Sequence, residues 1–365
     1  RVADCRYNAE KSAEMMKQAA AAGAHLLVLP ELGLTGYTCG DLLLQPTLLA
    51  GAQDALQALL EESRAISLTT VAGLPLAVEG KLYNCAAVLH GGQLLGIVPK
   101  LNLPNYGEFY EERWFTPAPA EVKTISLLGQ EVPFGSRLLF CCRELPEYKL
   151  AVELCEDLWV ASPPSIRHAV AGATVIANCS ASDETIGKAE YRRSLVTGQS
   201  ARLMAGYLYA DAGRGESTTD MVFAGHDLIA ENGKLLAETA LFTNDLILTE
   251  LDVHRLFAER RRTTTWPAAE TSGYTMVPFS LPMGETTLTR FIDPHPFVPT
   301  DDAERRERCE TILAMQAEGL RRRLEHIGCP KAVLGISGGL DSTLALLVAV
   351  RALALLGRPR TDMVS

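Results

Sequence analysis

The sequence predicts an α/β layered domain followed by the start of a second α/β domain. Short apolar runs of strand length recur through residues 25–251, with helical segments between them early and hairpins later. A stretch rich in threonine, proline and glycine then covers residues 263–299. From residue 332 a buried strand, a glycine turn and an apolar helix follow one another, which is typical of another α/β domain.

Turn residues bound the elements of the first domain. Helices are expected at 8–22, 50–67, 165–171 and 188–205. Strands are expected at 25–29, 69–78, 82–90, 93–98, 137–141, 150–154, 173–178, 206–210, 221–229, 234–237 and 245–251. In the second domain, a helix capped by Asp301 is expected up to residue 327, a strand at 332–336 and a helix at 342–356.

We therefore divide the chain into three parts. Residues 1–256 form the first domain. Residues 257–300 form a linker or extended arm, because their apolar residues show neither helical nor strand spacing. Residues 301–365 form the N-terminal part of the second domain.

Composition narrows the class of protein. The 365 residues are 47% hydrophobic and 21% charged, as in ordinary globular proteins. A net charge of -10 argues against general binding to nucleic acid or anionic membranes. The nine cysteines show no disulfide pattern, which favours reduced thiols, and no leader peptide or membrane span is indicated. We expect a cytoplasmic protein.

Three predicted strands end abruptly at a chemically active side chain. These side chains are Glu31, Lys100 and Cys155. A cysteine nucleophile needs a base, a carboxylate can serve as that base, and an ammonium can stabilise the oxyanion that forms on a carbonyl oxygen. The three together would make an acyl-transfer site without histidine. The alternatives are a cysteine that only fills the core and two charges that are only solvated.

The amino-acid sequence around these three residues favours the catalytic interpretation. The segments LPELGLTGY (29–37), KLNLPNYGEFYEERWF (100–115) and ELCEDLW (153–159) resemble, in the same order, the three signature segments of the nitrilase superfamily. The resemblance implies an αββα sandwich that cleaves carbon–nitrogen bonds with a Glu31–Lys100–Cys155 triad and no cofactor. It also implies that Glu111 helps to position the lysine and the substrate, the alternative being a surface charge.

A second motif, SGGLDS, lies between the strand and the helix of the second domain. It comprises Ser337, Gly338, Gly339, Leu340, Asp341 and Ser342. Glycines allow close backbone approach, and a helix N-terminus presents N–H groups to an anion. The motif is not a Walker A loop. It resembles the pyrophosphate loop of ATP pyrophosphatases, which implies ATP binding and a role for Asp341 with Mg²⁺. The alternative for Asp341 is a helix N-terminal charge.

The two modules in this order resemble the glutamine-dependent NAD synthetases. The resemblance implies that glutamine is hydrolysed through a thioester on Cys155 and that the ammonia reaches a second site. There ATP-activated deamido-NAD would become NAD⁺, with release of AMP and pyrophosphate. It further implies that Tyr106, Ser182 and Lys188 line the glutamine pocket and that the protein is a homo-oligomer. The alternative for Lys188 is a solvated helix start.

The synthetase domain of that family continues well beyond the ATP loop. We therefore expect these 365 residues to carry the glutaminase site only. Two other functions stay open: a stand-alone amidase or carbamoylase of the nitrilase class, and a non-catalytic oligomerisation scaffold. The SGGLDS motif argues against the first and the triad against the second.

Overall fold

The computed structural model describes residues 1–364, which form two compact units. The first unit is Arg1–Arg290, and the second begins at Phe291. No helix within residues 1–364 has the length and apolar character needed to span a bilayer.

The first unit contains two sheets. The strands of the first sheet are β1 (Leu26–Val28), β2 (Thr69–Val78), β3 (Lys81–His90), β4 (Gln93–Pro99), β5 (Lys123–Leu127) and β6 (Gln130–Phe134), in the order β1-β2-β3-β4-β6-β5. The strands of the second sheet are β7 (Leu138–Cys142), β8 (Lys149–Leu154), β9 (Val175–Ser180), β10 (Gly206–Asp211), β11 (Leu228–Glu231), β12 (Lys234–Glu238) and β13 (Thr275–Phe279), in the order β12-β11-β10-β9-β8-β7-β13. Strands β8, β9 and β10 are parallel neighbours.

Six helices accompany these sheets. They are α1 (Cys5–Ala21), α2 (Pro46–Glu62), α3 (Glu156–Trp159), α4 (Pro164–Ala171), α5 (Lys188–Leu203) and α6 (Val253–Arg262). Short 3₁₀ turns cover Tyr37–Leu44, Ser63–Ala65 and Glu111–Arg113.

The alternation of side chains along each strand explains the four layers. On β3, Cys85 and Ala87 face the cluster that contains α1 and α2, whereas Ala86 and Val88 face the second sheet. On β9, Ile176 packs with α4 and α5, on the far side of its sheet. Because both faces of both sheets are covered, the central strands β3, β4, β8 and β9 are buried along most of their length. The predicted αββα sandwich is confirmed.

The second unit contains α7 (Asp302–Ile327), β14 (Ala332–Val333), α8 (Leu340–Leu355), a 3₁₀ turn at Arg360–Asp362 and β15 (Met363–Val364). The carboxylate of Asp301 caps α7 by accepting a hydrogen bond from the backbone N–H of Glu304, as predicted. Strands β14 and β15 pair in parallel, so this unit has the strand–turn–helix–strand order of an α/β domain.

Three predicted features differ from the structure. One is the strand expected at 221–229, because strand β11 begins only at Leu228. The proposed boundary after residue 256 falls inside α6, and β13, from the proposed linker, pairs with β7 and completes the second sheet. The structure thus continues the first unit to Arg290. The predicted strand at 245–251 is wrong: this segment lines a groove of about 400 Å³ beside β1 and has no ladder partner within residues 1–364.

Candidate active site

Glu31 lies on a sharp turn just after β1. The turn brings Leu32 to a φ of 50°, and its backbone passes so close to β2 that a Cβ on Gly73 would lie 2.4 Å from Leu32 N. Glycine at this position is therefore required. The backbone N–H of Glu31 donates to the carbonyl oxygen of Ser180, at the end of β9 (3.2 Å). This bond joins the ends of strands from the two sheets, and the Glu31 side chain between them is completely buried.

Lys100 follows β4 and points at two carboxylates. Its Nζ lies 2.6 Å from Oε1 of Glu31 and 2.6 Å from Oε1 of Glu111. All three side chains are buried. An ammonium has three N–H donors, and these two bonds leave one free. Burying a charge is costly unless it is paired, so the two carboxylates hold Lys100 in place.

Glu111 begins a 3₁₀ turn and is 1% exposed, so the alternative of a surface charge is wrong. Its Oε1 accepts from Lys100 and also from the hydroxyl of Tyr37, at 2.8 Å. The tyrosine comes from the glycine-rich segment after Glu31. Glu111 therefore links that segment to Lys100.

Cys155 occupies the junction between β8 and α3 in a strained conformation, with φ at 40° and ψ at -99°. Such a conformation is rare for a residue with a side chain and persists only where the surroundings impose it. Its backbone N–H donates to the carbonyl oxygen of Cys179 (3.0 Å) and to Oδ1 of Asn178 (2.9 Å). Its Sγ lies 3.8 Å from the carbonyl oxygen of Ala181. Glu31 and Cys155 are thus anchored on consecutive carbonyls of β9.

The site electrostatics suit a base beside a protonated thiol. Burial raises the pKa of Glu31 to about 7, although Lys100 opposes this shift. Burial works against the charge of Lys100, but Glu111 and Glu31 hold the pKa of that ammonium well above its ordinary value. Burial, then the Glu31 charge, raises the pKa of the Cys155 thiol well above its usual range. The thiol therefore needs a base, and a carboxyl with a pKa of about 7 can serve at neutral pH.

Glu31 has an atom available for this role. Its Oε1 accepts from Lys100 and from Nδ2 of Asn84 (2.7 Å). Its Oε2 has no hydrogen-bond partner within residues 1–364. The arrangement can take a proton from a thiol, hold an oxyanion beside the third N–H of Lys100, and return the proton to a leaving group.

Tyr106 lies beside this site but is largely solvent-facing. It is 60% exposed, and its hydroxyl donates to Oε1 of Glu156 at 2.8 Å. Glu156 directly follows Cys155. The tyrosine is thus tied to the residue next to the nucleophile.

Lys188 is the first residue of α5, yet its side chain is only 17% exposed, so the alternative of a solvated helix start is wrong. Its ammonium pairs with Asp183. It also lies 5.6 Å from the ring centroid of Phe109 and 5.5 Å from that of Trp159. A cation between two aromatic rings and a carboxylate is well placed to bind a charged part of a substrate.

Ser182 is buried next to Asp183. Its Oγ accepts from NH2 of Arg192 (3.1 Å), and its backbone N–H donates to Oδ1 of Asp211 (2.7 Å). The guanidinium of Arg192 also donates to the carbonyl oxygen of Asp183 at 3.0 Å. These bonds fix the segment that carries Ser182 rather than leaving its hydroxyl free.

Sequence reasoning missed four polar residues of the site. Asn84 and Asn178 lie within apolar strands, and Tyr37 lies in a quoted segment without a role. Asp157 accepts from the backbone N–H groups of Asn102 (2.9 Å) and Leu154 (3.1 Å), which joins the loop after Lys100 to the Cys155 turn. A polar side chain inside an apolar run was the available signal, because such a group is buried only with partners.

In the second unit, the SGGLDS motif forms the start of α8. Gly338 has a φ of 82°, and Gly339 precedes the first helical residue. Ser342 Oγ donates to the carbonyl oxygen of Gly339 (3.1 Å) and lies 3.3 Å from Ser337 Oγ. Leu340 and Asp341 are exposed. The backbone N–H of Gly339 donates to Ser337 Oγ at 3.4 Å.

Comparison with known families identifies the first unit. The sequence profile of the carbon–nitrogen hydrolases matches residues 1–261. The chain belongs to the carbon–nitrogen hydrolase family. A second profile, that of NAD synthase, matches residues 312–362. The sequence-based resemblance to proteins that combine these two modules is confirmed.

Two proteins similar to this carbon–nitrogen hydrolase are named glutamine-dependent NAD(+) synthetases. The glutamine-dependent NAD(+) synthetase of Mycobacterium tuberculosis (strain H37Rv) is 43% identical over 374 residues, covering 100% of this chain and 55% of its own length. The structure of glutamine-dependent NAD⁺ synthetase from Acinetobacter baumannii in complex with ADP matches with a TM-score of 0.58 and 25% identity, over 96% of this chain and 55% of that one. The chain spans about half the length of these relatives.

An amidase from Nesterenkonia sp. shares the fold of the first unit alone. Its structure matches with a TM-score of 0.52 and 21% identity, over 66% of this chain and 82% of the amidase.

Proposed function

We propose that the first unit is a glutaminase that releases ammonia from glutamine through a thioester on Cys155. The observation that carries this proposal is the buried cluster in which Lys100 lies 2.6 Å from both Glu31 and Glu111 and the adjoining turn holds Cys155 in a strained conformation. The 43% identity to a glutamine-dependent NAD(+) synthetase supports glutamine as the substrate.

The reaction proceeds in two halves. Glu31 accepts the thiol proton of Cys155 while Sγ attacks the carboxamide carbon, and the free N–H of Lys100 stabilises the oxyanion. Glu31 then protonates the leaving nitrogen, the carbon–nitrogen bond breaks, and ammonia departs. In the second half, Glu31 takes a proton from water, whose oxygen attacks the thioester carbon. The carbon–sulfur bond then breaks, Glu31 returns the proton to Sγ, and glutamate is released.

The substrate is held by the residues around the nucleophile. Lys188 binds the α-carboxylate of glutamine as a point charge, and Tyr106 and Ser182 line the pocket. The cation–π contacts of Lys188 with Phe109 and Trp159 support this role. Together with the ion pair to Asp183, they fix the position of the ammonium.

The whole protein is then a glutamine-dependent NAD⁺ synthetase. Ammonia from the first unit aminates deamido-NAD that ATP has adenylated, giving NAD⁺, AMP and pyrophosphate. Both profile matches, in this order along the chain, support this assignment. We further propose that the protein is cytoplasmic and a homo-oligomer, and that it binds neither nucleic acid nor membranes.

ATP binds at the start of α8, where residues 337–342 present backbone N–H groups to its phosphates. Asp341, in the first turn, supplies one carboxylate for the accompanying Mg²⁺. No group of three or more metal-ligating side chains lies within residues 1–364. This fits Mg²⁺, which commonly uses one or two carboxylates together with substrate phosphates and water. When bound, the ion neutralises phosphate charge.

The decisive experiment measures glutamate and ammonia released from L-glutamine by this chain and by Cys155→Ala. The variant should fall to the uncatalysed background, because no thioester can form. Cys141→Ala is the matched control, a half-buried thiol on β7. Equal activity of Cys155→Ala and the unaltered chain would overturn the proposal and leave a scaffold role.

Covalent trapping identifies the nucleophile independently. The glutamine analogue 6-diazo-5-oxo-L-norleucine should label Cys155, as located by peptide mass spectrometry. Labelling of another cysteine would overturn the site assignment. Preferential hydrolysis of simple aliphatic amides over glutamine would instead favour a stand-alone amidase.

A further inference from the structure

A chain of fully buried polar side chains runs behind Cys155, on the outer face of the second sheet. It consists of Glu153, Tyr207 and Asn178, each at most 1% exposed. Glu153 and Asn178 are register partners on β8 and β9, and Tyr207 is on the next strand, β10. The apolar side chain of Ile176 lies in the same cluster as Tyr207. Burying polar groups in such surroundings costs free energy unless they are hydrogen-bonded.

The hydrogen bonds of this chain have a fixed direction. Tyr207 donates its hydroxyl proton to Oε1 of Glu153 (2.5 Å), and Nδ2 of Asn178 donates to the Tyr207 oxygen (3.0 Å). The other oxygen of Glu153 accepts from the backbone N–H of Ser165, near the start of α4 (2.7 Å). Both oxygens of Glu153 thus accept, which fixes the direction in which Tyr207 donates its proton.

The last hydrogen bond of this chain is made by the backbone of Cys155. Because Nδ2 of Asn178 faces Tyr207, its Oδ1 faces the backbone N–H of Cys155 (2.9 Å) and the hydroxyl of Ser180 (2.8 Å). The same N–H of Cys155 also donates to the carbonyl oxygen of Cys179 (3.0 Å). The residue held by these bonds is the one with a φ of 40°. A strained turn needs such support to persist.

We infer that Glu153, Tyr207 and Asn178 are positioning residues that hold the Cys155 turn in its reactive geometry. None of them touches the Glu31–Lys100 cluster through a hydrogen bond in the described part of the chain. Their hydrogen bonds reach the nucleophile at the backbone N–H of Cys155. A displacement of the nucleophile by about 1 Å can reduce the rate about 100-fold, so a loosened turn costs activity without altering the substrate pocket.

Two tyrosines on β10 provide a matched comparison. Tyr207→Phe removes the hydroxyl between Asn178 and Glu153 and keeps the ring in its apolar cluster. Tyr209→Phe removes the hydroxyl of an equally buried ring in the same cluster, but that hydroxyl has no hydrogen-bond partner within residues 1–364. Tyr207→Phe should lower kcat for glutamine about 10-fold or more with KM within twofold, whereas Tyr209→Phe should change neither.

A double-mutant cycle tests whether Tyr207 acts through Asn178. If it does, Asn178→Ala with Tyr207→Phe should be no slower than Asn178→Ala alone. Independent structural roles would make the two losses multiply, which would overturn the inference. Equal kcat for Tyr207→Phe and Tyr209→Phe would overturn it as well.

This inference rests on the proposed glutaminase, and one readout separates the two. The rate at which iodoacetamide alkylates Cys155, followed by peptide mass spectrometry, reports the geometry of the thiol without any glutamine. Slower alkylation in Tyr207→Phe but not in Tyr209→Phe supports the positioning role even if glutamine proves not to be the substrate. Unchanged alkylation in both variants contradicts it.

Discussion

Nζ of Lys100 and Oε1 of Glu111 lie 2.6 Å apart with both side chains buried, although the two residues are held by different segments of the loop that follows β4. Glu31 lies at the same distance on the other side of the ammonium. Removing one partner of a buried ion pair leaves an unpaired charge, which is strongly unfavourable. The lysine is therefore held by two carboxylates, of which Glu31 is the base in the proposed reaction.

Glu111→Gln should separate positioning from charge. The amide keeps an oxygen for Lys100 and Tyr37 but removes the negative charge that fixes the ammonium. We expect kcat for glutamine to fall about 10²-fold, with a small change in KM, as measured by ammonia release. Glu79→Gln is the control, since Glu79 is an exposed partner of Lys123 in the turn between β2 and β3. A Glu111→Gln variant with unaltered kcat would contradict the role of Glu111.

The pH dependence should report Glu31. The base must be ionised to accept the thiol proton, and burial raises the pKa of Glu31 to about 7. The value of kcat/KM for glutamine should therefore rise with pH up to about 7 and then level off. The hydrogen bond from Asn84 lowers the pKa of Glu31, so Asn84→Ala should move the rising limb to higher pH. A limb that stays in place or moves to lower pH would exclude Glu31 as the titrating group.

The sequence was sufficient for the residues that end strands. Glu31, Lys100 and Cys155 each interrupt an apolar run, and a charge cannot continue a buried strand without a partner. The helix capped by Asp301 was likewise predictable, because its capping residue and the helical spacing of its apolar residues are both local features of the sequence. The predicted strand at 245–251 failed because strand pairing depends on a neighbour rather than on the apolar run itself.

The roles of Asn84 and Asn178 could not be predicted from the sequence for the same reason. Asn84 and Asn178 lie inside strands, and a strand shows its faces in sequence but not which neighbour faces them. Only the register that aligns Asn178 with Glu153 reveals that the asparagine holds Cys155. The 3₁₀ turn that buries Glu111 is similarly fixed by tertiary bonds, whereas its sequence is an ordinary acidic run.

Substrate binding should depend on the charge of Lys188. Lys188→Ala should raise KM for glutamine about 10-fold to 100-fold with little change in kcat, because a hydrogen bond to a charged group contributes about 1.5–3 kcal/mol to ground-state and transition-state binding alike. Lys188→Arg should retain most of the affinity. Lys81→Ala removes an exposed lysine at the start of β3 and serves as the control. An unchanged KM in Lys188→Ala would show that the ammonium serves only its pair with Asp183.

Stability of the segment after Glu31 should depend on Glu216. This carboxylate accepts from the backbone N–H of Tyr37 (2.8 Å), from that of Thr38 (3.0 Å) and from Thr38 Oγ1 (2.6 Å). Glu216→Ala leaves these donors without their partner, which should lower the free energy of unfolding by about 1–3 kcal/mol. The rate of glutamine hydrolysis should fall too. Tyr37 also donates to Glu111, so a more mobile Tyr37 would hold Glu111, and with it Lys100, less firmly.

Denaturant unfolding followed by circular dichroism measures the first effect, and ammonia release from glutamine measures the second. Glu131→Ala is the control, because it removes the same charge from an exposed position on β6. Glu216→Gln keeps one accepting oxygen and should recover part of the lost stability. If Glu216→Ala unfolds at the same denaturant concentration as Glu131→Ala, the three hydrogen bonds do not stabilise this segment. Tyr37 is then held by its hydroxyl bond to Glu111 and its ring contact with Phe223.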